Sequence, residues 1–152
     1  MATVSVEVSD IIDAPADRIY AVLSDYKVGH QSILPKEHFR DFEVERGGRG
    51  EGTVIRFKMV SGGRETPMRM EVSEPAPGRV LAERDLTPGS DLVTHSTLTP
   101  AGGGKTRLKI STEWTAPTGL AGLVQRLLYP LAMRRIYAKE MRKIAEYVAS
   151  GG

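Results

Sequence analysis

The stretch from Leu120 to Val148 is dense in Leu, Ala, Met, Arg and Lys and holds no glycine after Gly122. Those side chains lose little rotamer freedom in a helix, so the stretch predicts helix. At 1.5 Å per residue such a helix is roughly 45 Å long, while a compact domain of this chain length is only about 40 Å across. The helix must span the molecule, and the preceding chain has to wrap around it.

The apolar pattern of this stretch breaks at Pro130. Leu120, Leu123, Val124, Leu127, Leu128 and Leu131 share one face at helical spacing. Met133, Ile136, Tyr137, Met141, Ile144 and Val148 share another, turned from the first by about a quarter to a third of a turn. A proline removes one backbone donor and crowds the carbonyl four residues back, here that of Arg126. The pattern predicts a short apolar segment capping one end of a groove, a kink, and a main amphipathic helix along it. Arg135, Lys139, Arg142 and Lys143 fall on the opposite side and read as a solvated face, with a membrane surface or an acidic partner as the alternative.

Upstream the period changes to two. Val4, Val6 and Val8 alternate with Thr3, Ser5, Glu7 and Ser9, the mark of a half-buried strand over Thr3 to Ile11. Asp13 or Ala14, then Pro15 in a first turn, start a short helix with Ile19, Tyr20, Val22 and Leu23 on its apolar side. Tyr26 to Pro35 reads as a loop with at most one helical turn. Strands follow over Phe39 to Glu45, Thr53 to Val60, Pro67 to Ser73, Val80 to Leu86, Asp91 to Thr99 and Lys105 to Thr115. Gly/Pro turns separate them, among them Gly62-Gly63 and Pro100 to Gly104. Six consecutive strands predict an antiparallel meander. The expected fold is α+β, a curved seven-stranded antiparallel sheet wrapped around the long C-terminal helix, with a short helical region between strands 1 and 2. Residues 1–152 form a single domain. Such a sheet does not close tightly along its length, so a cavity between helix and sheet is expected.

Several functions are disfavoured. Charged residues make up 26% of the chain with a formal net charge of +2, too balanced for a dedicated nucleic-acid binder. The absence of cysteine removes disulfides and thiolate metal sites. His30, His38 and His95 fall in different elements without ligand spacing, so neither a metal nor another cofactor is expected. No signal peptide and no membrane-spanning run is visible. The expectation is a soluble, cytoplasmic protein without stable membrane association.

The segments Ile12-Asp13-Ala14-Pro15-Ala16-Asp17-Arg18-Ile19-Tyr20 and Glu74-Pro75-Ala76-Pro77-Gly78-Arg79-Val80 carry a family resemblance. Gly104-Lys105-Thr106-Arg107-Leu108 and Thr112-Glu113-Trp114 extend it to nearly the whole chain. The chain resembles the START-like, or SRPBCC, superfamily of helix-grip proteins, in its polyketide cyclase/dehydrase-like branch. The resemblance implies a hydrophobic-ligand cavity, and its members range from lipid carriers and hormone receptors to cyclases. Many relatives have a tryptophan in the loop after the first helix, where this chain has Tyr26 to Pro35, so the cavity mouth is expected to differ.

Strand parity nominates the lining. Leu92 and Leu98 facing inward carry Thr94 and Ser96 with them, and Ile110 and Trp114 carry Thr106 and Thr112. Val80 and Ala82 facing inward would carry Arg84, whose alternatives are a pair with Asp10 or a place at the sheet edge. Ile55, Phe57, Met59, Met68 and Met70 line from the sheet, and Leu127, Met133 and Tyr137 from the helix. The methionines and Trp114 serve equally as core, and Tyr26 and His30 are placed at the mouth. Asp10 shares the parity of Val8, and hydroxyls, one arginine and this aspartate make a thin catalytic set but an ordinary lining for an oriented apolar ligand. The expected partner is a hydrophobic or amphipathic small molecule. A polyketide cyclase or dehydratase working in the same cavity is the alternative.

Overall fold

The computed structural model describes residues 2–151. Its seven strands form one antiparallel sheet in the order β1-β7-β6-β5-β4-β3-β2. They are β1 (Ala2–Ile12), β2 (Phe39–Arg46), β3 (Val54–Ser61), β4 (Arg64–Ala76), β5 (Val80–Asp85), β6 (Val93–Gly102) and β7 (Lys105–Ala116). Two short helices, α1 (Ala16–Ser24) and α2 (Gly29–Ile33), lie between β1 and β2. Two more, α3 (Leu120–Leu127) and α4 (Tyr129–Ala149), close the chain. This is the expected helix-grip architecture.

Alternation sets the inner face. Val4, Val6 and Val8 of β1 stand opposite Trp114, Thr112 and Ile110 of β7, and that row turns toward α4. Ile136, Tyr137, Met141, Ile144 and Val148 of α4 are buried against it. Two hairpins fix the register of the meander. Gly62 and Gly63 join Ser61 to its partner Arg64, and Gly103 and Gly104 join Gly102 to Lys105. All four glycines have φ between 58° and 77°. Consecutive positive φ values make a two-residue turn whose twist matches the strands it joins. The hairpin arms are therefore longer than expected, with β6 running through Pro100 to Gly102 and β4 through Pro75 to Ala76 across a register shift. Helix α1 starts one residue later than expected, at Ala16, with Pro15 as its N-cap.

The long C-terminal helix is two helices that part at Leu128, within the interval from Arg126 to Pro130 where the chain was expected to bend. Pro130 sits in the first turn of α4, where its missing N–H has no intrahelical partner to lose. The interior-proline penalty does not apply there. Pro130→Ala is therefore expected to change stability by less than about 1 kcal/mol, measured by urea unfolding. A gain of about 3 kcal/mol, the interior value, would show that the proline strains a continuous helix.

Helix α3 also overturns an expectation about its faces. Leu120, Leu123, Leu127, Leu128 and Leu131, read as the buried stripe, are exposed. The side turned to the protein carries Gly122 and Gln125 instead.

Candidate functional site

The space between α4 and the sheet holds an apolar region and a polar one. The apolar region is a cavity of about 330 Å³. Met59 on β3, Met68 on β4 and Trp114 on β7 line its sheet side, and Met133, Ile136 and Tyr137 line its helix side. Phe57 is the register partner of Met68, and Met59 that of Thr66, so both methionines share one face of the hairpin. Gln125 and Tyr129 close the cavity at the junction of α3 and α4. The Trp114 indole N–H donates to Gln125 Oε1 at 3.0 Å, which ties α3 to the sheet. A wider groove of about 970 Å³ beside β2 is open and charged, crossed by the pairs Glu43–Arg56 and Glu45–Arg69. The smaller, less open and more apolar space has the character of a small-molecule site.

The polar region centres on Glu83. Leu81 and Glu83 of β5 stand opposite Ser96 and Thr94, which stand opposite Ile110 and Thr112, so all six face inward. Glu83 Oε2 accepts a hydrogen bond from the Tyr26 hydroxyl at 2.7 Å and faces His30 Nε2 at 3.5 Å. The His30 ring stacks on Tyr26 with centroids 4.3 Å apart, and its Nδ1 donates to the Leu23 carbonyl at 2.7 Å. With that nitrogen committed, a hydrogen bond from Nε2 to Glu83 requires a second ring proton. Helix α2 reaches this depth because Gly29 lets it lie directly on α1. A Cβ at Gly29 would stand 2.6 Å from the Val22 carbonyl oxygen.

Tyr137 and Glu140 face the same region from adjacent turns of α4. The Tyr137 hydroxyl meets Thr112 Oγ1 at 2.5 Å, and Thr112 meets Thr94 at 2.7 Å. Tyr137 thus belongs both to the cavity wall and to the polar chain. Burial pushes its phenol up to about 12. Burial, and then the charge of Glu83, pushes the Tyr26 phenol up as well, so both remain donors at neutral pH. The Glu140 carboxyl is pushed up to about 8, by burial first and by the charge of Glu83 second, and no cation offsets either cause. A carboxyl held protonated at Glu140 therefore lies within electrostatic reach of Glu83, which accepts the Tyr26 hydrogen bond. Two such groups in different protonation states can orient a carbonyl or hydroxyl and can move a proton.

Of the residues nominated from the sequence, Met59, Met68, Trp114, Met133 and Tyr137 border the cavity. Ile55, Met70 and Ile110 are core, and Phe57 packs between Phe39 and Phe42. Thr94 joins the hydroxyl chain and Ser96 faces inward beside Leu81. Tyr26 and His30 are buried in the interior rather than placed at a mouth. Two positions differ outright. Arg84 points outward and pairs with Glu71 at 2.8 Å, because Leu81 and not Ala82 sets the inward parity of β5; Asp10, its other suggested partner, is exposed. Leu127 lies on the outer face of α3 and is 60% exposed. Glu83 and Glu140 were not nominated. Among the described residues no group of three His, Cys, Asp or Glu side chains is arranged to hold a metal ion, and no helix is long and apolar enough to cross a membrane.

Solved structures share this geometry. The KanY protein is 29% identical, with 98% of this chain and 99% of that one covered at a TM-score of 0.83. The Zhui aromatase/cyclase from Streptomyces sp. R1128 is 19% identical, with 96% and 93% covered at 0.78. A START superfamily protein from Mycobacterium smegmatis is 14% identical, with 97% and 99% covered at 0.75. At these last two identities the likeness speaks to fold alone. No curated protein sequence matches the chain. Residues 3–149 match the family described as polyketide cyclase / dehydrase and lipid transport, and the chain is a member of that family.

Proposed function

We propose that the protein binds a hydrophobic or amphipathic small molecule, lipid- or polyketide-like, in the cavity between α4 and the sheet. The observation that carries this reading is the cavity's composition. Methionines, Trp114 and Ile136 make an adaptable apolar wall, and Tyr137 links that wall to the hydroxyl chain of Thr112 and Thr94 beside Glu83. The apolar part of a ligand fills the first region and an oxygen function is oriented by the second. The volume suits a small ligand, at the low end of known sites. The reading takes the protein to be cytoplasmic and to work without a cofactor.

Binding of a polarity-sensitive apolar dye is expected to change the fluorescence of Trp114, the single tryptophan. Ala132 lines the same cavity and has room to grow into it. Ala132→Phe is expected to weaken dye binding by at least about tenfold while the protein stays folded. Undiminished binding by the folded variant would place the dye elsewhere and defeat the reading.

A second reading has its own support. The pair Glu83 and Glu140 supplies a base and an acid in one water-poor interior, which favours a cyclase or dehydratase acting on a polyketide-like substrate. The family's description spans both lipid transport and cyclisation, and the Zhui structure is that of an aromatase/cyclase.

A further inference from the structure

Helix α3 is amphipathic the wrong way round for a soluble surface. Leu120, Leu123, Val124 and Leu127 recur at helical spacing on its outer side, and Leu128 and Leu131 continue that apolar surface into α4. Leu120 is 78% exposed and Leu131 56%. The inner side of α3 holds Gly122 and Gln125. A Cβ at Gly122 would stand 1.6 Å from the Pro117 carbonyl oxygen, so only glycine fits there. The bond between Gln125 and Trp114 holds the next turn. Two fixed points therefore keep the leucines outward, and the helix cannot roll to bury them without breaking both.

The charge around this face is one-sided. No Asp or Glu occurs between Glu113 and Glu140, whereas Arg126, Arg134 and Arg135 do, and they flank the leucines. All three are exposed, and none forms a salt bridge among the described residues; the one basic neighbour that does is Lys139, with Glu37. A second copy of the chain would bring an identical cationic rim against this one, which disfavours a symmetric pair. A surface that is apolar below and anionic above satisfies both features.

We propose that the outer face of α3 and the start of α4 dock reversibly on an anionic lipid bilayer. Leu123, Leu127 and Leu131 enter the acyl boundary while Arg126 and Arg134 rest among the headgroups. This attachment is peripheral and salt-sensitive. It uses the leucine face, not the basic side of α4 on which no stable association was expected, and it stands whether or not the cavity holds a ligand.

The test is flotation of the intact protein with vesicles of phosphatidylglycerol and phosphatidylcholine, against phosphatidylcholine alone. Partitioning is expected on the anionic vesicles only and is expected to fall as salt rises. Leu123→Ser with Leu127→Ser should cut it by at least about tenfold, and Arg126→Gln and Arg134→Gln by about fivefold each. The chain has no cysteine, so a polarity-sensitive label on Leu127→Cys reports that face alone and should shift to the blue on the same vesicles. Equal partitioning on neutral vesicles, or no response to the leucine changes, overturns the proposal. So does a concentration-dependent sedimentation coefficient that the serine changes abolish, since the face would then join two copies.

Discussion

Glu140→Gln is expected to make the protein more stable, by about 3 kcal/mol at pH 7. The carboxyl rises from an ordinary 4.5 to about 8 on folding, so the folded state holds a proton that the unfolded chain gives up. Below about pH 4.5 both states are protonated and the group costs nothing. Between about pH 4.5 and 8 the unfolded chain ionises while the folded protein does not, and stability falls with rising pH. Above about pH 8 the loss levels off near 5 kcal/mol. Glutamine cannot ionise, so the variant carries no such cost at any pH. Urea unfolding of both proteins from about pH 4.5 to 8 should show a stability difference in favour of the variant that widens as pH rises. A difference that stays flat over that range, or a destabilised variant, would refute the account. The same variant separates the two functional readings. An acid–base enzyme should lose about 100-fold or more of its turnover, whereas a binder should change only in affinity.

His30→Ala is expected to do the opposite and lower stability by about 3 kcal/mol or more. The ring is buried, stacked on Tyr26 and bonded to the Leu23 carbonyl. Its loss leaves a void, an unpaired carbonyl and a Glu83 carboxylate supported by the Tyr26 hydroxyl alone. Void and carbonyl do not depend on the charge of Glu83, but the last contribution does. A double-mutant cycle with Glu83→Gln should therefore show coupling of at least about 1 kcal/mol. Strict additivity would mean that His30 is a packing residue and that its approach to Glu83 carries no energy.

The sheet was legible because its signals are local. Alternating valines mark β1, and paired glycines at Gly62-Gly63 and Gly103-Gly104 can hardly be anything but turns. The polar region was not, because β5 opens with Val80-Leu81-Ala82, which allows either parity. Charge on Glu83 argued for solvent, yet Tyr26 and His30, more than fifty positions away in sequence, satisfy it. Glu140 did leave a mark. It stands among Ile136, Tyr137, Met141 and Ile144, a carboxylate inside an apolar stripe, and that misfit is what a buried acid looks like in sequence. Helix α3 misled in the reverse direction. A leucine stripe normally reports a core, and the close approach of Gly122 to Pro117 and the bond from Trp114 to Gln125, both invisible without coordinates, show that it faces out.

Strand β1 lies at the edge of the sheet, and its one neighbour is β7. The hairpins from β2 to β6 can form as each emerges from the ribosome, since their partners are adjacent in the chain. Val4, Val6 and Val8 cannot. Between Thr3 and its partner Thr115 lie about 110 residues, which take roughly 5–20 s to synthesise. For that interval β1 is an unpaired β edge with an apolar face, the state in which strands recruit one another between chains. Completion of the sheet is thus a late event that joins β1 to a strand made long after it, and the interval before it is when aggregation and chaperone capture compete with folding.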